Sequence, residues 1–195
     1  TLAEGPGTRT AIWMQGCSIR CKGCINPHLF NAAGGEAVDP IALAADAAAA
    51  GVEGITLLGG EPYDQARGCA RLGRAARERG LGVICFTGYE WEHLAADVDA
   101  SRLLEEVDLL VDGPYVAGLP ETERALVGSR NQRFIHITDR YVGFDPGAMP
   151  NRIELRIEPN GEVRIAGFLT TESLSELASS ASVRRSQLRR RPTSM

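Results

Sequence analysis

Gly54-Ile-Thr-Leu-Leu-Gly-Gly-Glu-Pro62 is an apolar run that ends in two glycines, a carboxylate and a proline. Gly54 to Leu58, bounded by turn-forming residues, suits a strand buried on both faces. Downstream, Ala66, Cys69, Leu72 and Ala76 recur at helical spacing, so a helix is expected from Asp64 through Arg79, stopped by Gly80. Upstream, Asp39-Pro40 reads as an N-cap followed by proline at the first helical position. Ile41 to Ala50 is then an Ala-rich helix that Gly51 closes.

The same unit recurs to either side. Thr10 to Met14 is a short apolar strand that ends at a cysteine loop. Gly82 to Phe86 delivers Thr87-Gly-Tyr-Glu90, and a short helix follows around Trp91 to Ala96. Val107 to Val111 delivers Asp112-Gly-Pro-Tyr115. Strand–helix repeats with continuously apolar strands predict a parallel sheet covered by helices. In such folds chemistry gathers at the carboxyl ends of the strands. Each polar or Gly-rich motif follows a strand directly, so all are expected on one face.

The cysteine loop carries the most specific chemistry. Cys17, Cys21 and Cys24 stand as C-x3-C-x2-C, with no fourth cysteine nearby. A four-iron cluster usually takes four thiolates, so three would leave one iron free to bind something else. A disulfide framework is disfavoured: the chain has five cysteines, an odd number, and 195 residues can form a core without staples. Zinc is the rival, because His28 follows at a spacing compatible with a Cys3His site. Structural zinc sites usually pair two separated knuckles, however, and no second CxxC or HxxxH is present. Cys69, on the apolar helical face, and Cys85, inside an apolar strand, read as small core hydrophobes.

Composition sets limits on function. Apolar residues at 44% and charged residues at 24% match a soluble globular chain. No apolar run approaches the roughly 20 residues that cross a bilayer. A basic segment followed by an apolar stretch is not found at the N-terminus, so no secretory signal is expected. Clustered thiols without an export signal point to the reducing cytoplasm. Ser179 to Met195 holds five arginines and no acid, which leaves −9 on the remainder of a chain whose total is −4. An acidic body argues against a nucleic-acid-binding surface.

Taken together, Gly5-Pro-Gly-Thr-Arg9, Trp13-x-Gln-Gly-Cys17-x3-Cys21-x-Gly-Cys24-x-Asn26 and Gly59-Gly-Glu-Pro62 resemble radical S-adenosylmethionine activating enzymes. The likeness is greatest to the anaerobic ribonucleotide reductase activases and secondarily to pyruvate formate-lyase activases. Thr87-Gly-Tyr89, Val111-Asp-Gly-Pro114 and Gly128-Ser-x-Asn-Gln132 extend it over roughly residues 4–138. The resemblance implies that Cys17, Cys21 and Cys24 hold a [4Fe-4S] cluster whose open iron chelates S-adenosylmethionine. It implies that Gly59, Gly60, Glu61 and Pro62 bind the methionine amino group, with Glu61 as acceptor for the ammonium. Thr87 and Asp112 would stand around the methionine end and a monovalent cation, although Asp112 also reads as the cap of the Gly113-Pro114 turn. The reduced cluster would cleave the sulfonium, and the resulting 5′-deoxyadenosyl radical would take hydrogen from the substrate. No catalytic residue is assigned beyond the cluster.

The expected fold is therefore α/β, an incomplete (β/α)6-type radical S-adenosylmethionine barrel with a C-terminal β-hairpin extension. Residues 1–170 form the domain and 171–195 a C-terminal helix or disordered basic tail. The hairpin comes from the alternation in Ile153 to Ile157 and Val163 to Ile165 around Pro159-Asn-Gly161. The expected partners are a glycyl radical enzyme as protein substrate and a flavodoxin- or ferredoxin-type electron donor, with neither nucleic acid nor membrane. The extension beyond residue 138 leaves open a radical enzyme acting on a peptide or small molecule, or a non-catalytic cluster- or zinc-binding protein. Single Cys→Ala changes at 17, 21 or 24 should abolish the cluster in anaerobic iron and sulfide analysis, whereas Cys69→Ala and Cys85→Ala should retain it. Zinc without acid-labile sulfide in the parent would select the other metal.

Overall fold

A computed structural model describes residues 1–157, 159–161 and 163–167. The expected boundary at 170/171 and the tail beyond it lie outside the described residues. Four strands pair in parallel and in chain order: β1 (Arg9–Met14), β2 (Gly54–Gly59), β3 (Gly82–Phe86) and β4 (Leu109–Asp112). A fifth, β5 (Arg133–His136), runs antiparallel to β4 at the edge. The fold is thus mixed α/β with a mostly parallel sheet. The sheet order is linear, so the described residues close no barrel.

The helices begin where local chemistry places them. In α1 (Pro40–Ala49), the Asp39 carboxylate accepts from the Ile41 N–H at 3.1 Å, satisfying a donor that the first turn leaves free. A 3-10 turn at Pro62–Gln65 delays α2 to Ala66–Arg77, two residues later than the expected start at Asp64. The short α3 (Trp91–Leu94) is followed by an unanticipated helix, α4 (Val98–Leu104). The Asp97 carboxylate caps α4 by accepting from Ala100 N–H at 2.8 Å. Helix α2 packs Cys69, Leu72, Ala75 and Ala76 with Ala44 and Ala47 of α1 and Ala100 and Leu103 of α4, over Ile55, Leu57, Val83 and Leu110 of the sheet. Cys69 and Cys85 are buried in this core, as expected.

Three expectations need correction. The sheet is not wholly parallel, because a parallel return requires a long crossover, usually helical. Residues 113–132 contain no described helix and deliver β5 in the opposite sense. Six strand–helix units are therefore not reached: the main sheet has four parallel strands and one antiparallel strand. Finally, β4 starts at Leu109 instead of Val107. Asp108 is drawn out of the strand pattern by accepting from Val83 N–H at 2.8 Å and Thr138 Oγ1–H at 2.7 Å. The C-terminal hairpin is present as β6 (Ile153–Ile157) paired antiparallel with β7 (Val163–Gly167). Among the described residues no helix is long and apolar enough to cross a membrane.

At the amino ends of the parallel strands lies Arg9, 1% exposed. Its guanidinium donates to Thr56 Oγ1, the Pro6, Ile55 and Gly82 carbonyls and the Tyr141 hydroxyl, and sits 5.4 Å from the Tyr141 ring centre. These bonds tie the N-terminal segment and the starts of β1, β2 and β3 to the 3-10 turn Asp139–Tyr141. Burial lowers the Arg9 pKa. Arg9→Leu leaves several buried acceptors without a donor, so urea unfolding should show a loss of about 3 kcal/mol or more.

Candidate functional site

The carboxyl ends of β1, β2 and β3 open into one pocket. It is lined by Cys17, Cys21 and Cys24 together with Gly59, Gly60, Glu61 and Thr87. The structure thus gathers the three cysteines and most of the motif residues expected to act with them. Pro62 and Asp112 do not line the pocket. Ile19, Phe30, Phe86, Gly88, Tyr115 and Gln132 do, and were not singled out as site residues. Tyr115 and Gln132 lie inside motifs visible in the sequence, so position was legible where role was not.

Backbone contact holds the cysteine loop against β2. Gly60 N–H donates to the Met14 carbonyl and Glu61 N–H to the Gly16 carbonyl, both at 2.8 Å. A Cβ on Gly59 would lie 2.6 Å from Met14 N, and one on Gly60 would overlap the Gly16 carbonyl. The close approach that these glycines permit is therefore made by the chain's own cysteine loop. Side chains brace the same loop: Ser18 N–H and Oγ donate to Asp64 at 2.7 and 2.8 Å, and the Tyr89 hydroxyl bonds to both. Gln15 Nε2 donates to the Asn31 carbonyl, and Gln65 Nε2 to the Gln15 carbonyl.

Glu61 is 1% exposed. Its Oε1 accepts from Thr87 Oγ1–H at 2.8 Å and Tyr63 N–H at 3.0 Å, and its Oε2 from Gly88 N–H at 2.9 Å. Burial pushes its pKa up to about 7, and the bonds from Gly88, Tyr63 and Thr87 oppose that rise. Asp112 has a different environment. It is fully buried, accepts from Trp91 N–H at 2.8 Å and forms an ion pair with Arg133, which also meets Glu92. Its charge is already matched by a guanidinium, which does not fit a monovalent cation at this residue.

Cys17, Cys21 and Cys24 are free thiols of intermediate exposure. Burial pushes the Cys21 thiol up, and a hydrogen bond from the Tyr115 backbone N–H opposes it. Cys69 is pushed up to about 12 and Cys85 well above its ordinary value, both by burial, as suits inert core thiols. His28 is exposed and does not line the pocket. Among the described residues no three His, Cys, Asp or Glu side chains are grouped to hold one metal ion. Three accessible thiols on one pocket wall, without the histidine, fit an iron–sulfur cluster better than a Cys3His zinc ion.

The buried Glu61 makes stability depend on pH. Between its ordinary value of 4.5 and about 7, the folded chain keeps a proton that the unfolded chain has released. Stability should fall as pH rises through this window and level off above it, by roughly 2–4 kcal/mol. Urea unfolding of the parent and Glu61→Gln at pH 5, 6, 7 and 8 should show that component of the slope disappearing in the variant.

Comparison with known proteins agrees with this site. The family model for a 4Fe-4S single cluster domain matches residues 3–135. An anaerobic ribonucleoside-triphosphate reductase-activating protein from Enterobacteria phage T4 is 33% identical over 145 residues, which is 71% of this chain and 90% of the phage protein. The protein of the same name from Escherichia coli (strain K12) is 28% identical over 145 residues, covering 70% of this chain and 93% of its own length. A pyruvate formate-lyase-activating enzyme from Clostridium pasteurianum is 51% identical over only 35 residues, 18% of this chain and 15% of that enzyme. With the cysteine triad and the strand-end motifs inside the matched region, the chain belongs to the 4Fe-4S single cluster domain family, among the anaerobic ribonucleoside-triphosphate reductase-activating proteins.

Proposed function

We propose that this protein is a radical S-adenosylmethionine activase that installs a glycyl radical in an anaerobic ribonucleoside-triphosphate reductase. The observation that carries this reading is the meeting of three free thiols and the Gly59-Gly60-Glu61 segment in one strand-end pocket. Cys17, Cys21 and Cys24 would hold a [4Fe-4S] cluster. A bound cluster would supply the single electron for reductive cleavage of the S-adenosylmethionine sulfonium to methionine and a 5′-deoxyadenosyl radical, which would take a hydrogen atom from a glycine of the partner. The open parallel sheet is read as part of a radical S-adenosylmethionine barrel, and the cytoplasm as its compartment.

The chain's own residues bind, orient and exclude water. Glu61, inside the pocket wall and nearly excluded from water, presents negative charge to the methionine ammonium. An arriving cation favours the ionised carboxylate and draws its raised pKa back down. Thr87 and Gly88 hold that carboxylate in place. Asp64, Ser18 and Tyr89 keep the cysteine loop over the strand ends. The cysteines are only partly covered, which suits delivery of a glycine on a flexible loop of a second protein. A flavodoxin- or ferredoxin-type donor would supply the electron.

The test mixes the anaerobically reconstituted, reduced protein with S-adenosylmethionine and an anaerobic ribonucleoside-triphosphate reductase. Electron paramagnetic resonance should show a glycyl radical on the reductase. Glu61→Gln should keep the cluster but weaken S-adenosylmethionine binding about 10- to 100-fold, the loss of one charge-assisted bond. Deoxyadenosine formed with a peptide or small metabolite, and no glycyl radical, would favour a stand-alone radical enzyme. No cleavage at all would indicate a non-catalytic cluster protein.

A further inference from the structure

The segment Gly128-Ser-Arg-Asn-Gln132 lies between the pocket and β5, and nothing above gives it a role. Three of its polar side chains, Ser129, Asn131 and Gln132, grip one short loop, Gly113 to Val116, which follows β4. Gln132 Nε2 donates to the Gly113 carbonyl at 3.3 Å, and Asn131 Nδ2 to the Pro114 carbonyl at 2.8 Å. Ser129, fully buried, accepts from Val116 N–H at 3.1 Å. The grip is itself held: Gln132 Oε1 accepts from Gly128 N–H at 2.9 Å and Ser129 N–H at 3.1 Å. The segment's backbone is anchored where Arg130 N–H donates to the Leu119 carbonyl at 2.8 Å.

The donors of the gripped loop can be followed residue by residue. Gly113 N–H goes to the Tyr89 carbonyl at 3.0 Å, Pro114 has no N–H, and Val116 N–H goes to Ser129. The Tyr115 N–H is the donor that remains for the pocket, and it meets the Cys21 sulfur. The Tyr115 ring stands against the same turn: a Cβ on Gly23 would lie 3.6 Å from it, and one on Gly128 3.1 Å. Cys21, Tyr115 and Gln132 share the pocket wall.

We propose that Ser129, Asn131 and Gln132 are positioning residues that clamp the Gly113–Val116 loop so that the Tyr115 peptide N–H is presented to the Cys21 sulfur, raising the reduction potential of the cluster. This rests on the reading of the cysteine triad as a cluster site. A cluster gains negative charge on its sulfurs when reduced, and a hydrogen bond to sulfur stabilises that charge. Loosening the clamp withdraws the bond and makes the cluster harder to reduce.

The experiment compares the anaerobically reconstituted full chain with two variants. Asn131→Ala removes the bond to Pro114. Gln132→Met keeps the length of the side chain, adds no charge beside the cysteines and loses the donor to Gly113. Asp99→Asn serves as control: Asp99 pairs with Arg102 on the exposed side of α4 and makes no side-chain bond to residues 113–116 or 128–132. Iron and sulfide are measured first, then the midpoint potential by redox titration followed by electron paramagnetic resonance. Both clamp variants should retain the cluster and show a lower midpoint, with the ratio of reduced to oxidised cluster at fixed potential falling roughly tenfold, about 59 mV for one electron. The control should match the parent. Cluster-loaded clamp variants whose midpoints equal the parent's would overturn the clamp, as would an equal drop in the control. A parent that holds no cluster would instead overturn the reading beneath it, and the clamp with it.

Discussion

Residue 61 ties three strand ends to one another. Its N–H holds the Gly16 carbonyl beside Cys17, and its carboxylate holds Thr87 and Gly88 beyond β3. The first contact requires β1 and its loop to approach β2 closely, and so residues without a Cβ at Gly59 and Gly60. A carboxylate with 1% exposure is costly to ionise, and its three hydrogen bonds offset only part of that cost. The arrangement holds the pocket wall in place while leaving Glu61 sensitive to any cation that enters.

The opposite end of the sheet uses the same device with the opposite charge. Arg9 crosses beneath β1, β2 and β3 and gives its donors to neutral oxygens. Buried ionic groups are poor sources of net stability, but removing one leaves its partners stranded. With Arg9 below and Glu61 above, the parallel strands are held in register at both ends, while the apolar core of α1, α2 and α4 covers one face. The loops at the carboxyl ends then start from fixed points, and the cysteine loop inherits its position from them.

Family membership and site geometry converge on an iron–sulfur cluster site at the strand ends. The thiols face a pocket instead of a sealed core, the strand-end motifs surround them, and His28 stands apart. The family model ends at residue 135, and the hairpin β6–β7, beyond it, contacts the N-terminal segment through Gly167 N–H to Glu4.

Much of the local structure was legible in the residues themselves. Apolar runs ending in Gly-rich motifs specify strands with loops at one end, because burial on both faces and backbone turns leave distinct patterns. Asp39-Pro40 marked a helix start for the same local reason, as did the alternation in Ile153 to Ile157 for the hairpin. The cysteine spacing marked the three candidate ligands, and the structure places all three in one pocket. Tertiary structure decided the rest. The direction of β5 depended on how residues 113–132 travelled, and the helix at Val98 depended on Leu103 finding the core. Asp112 is a strand-end carboxylate in sequence; only folding brought Arg133 against it. Glu61 and Gln132 carry no local sign of their partners at 87, 88 and 113, because those contacts join segments far apart in the chain and exist only once the strands are paired.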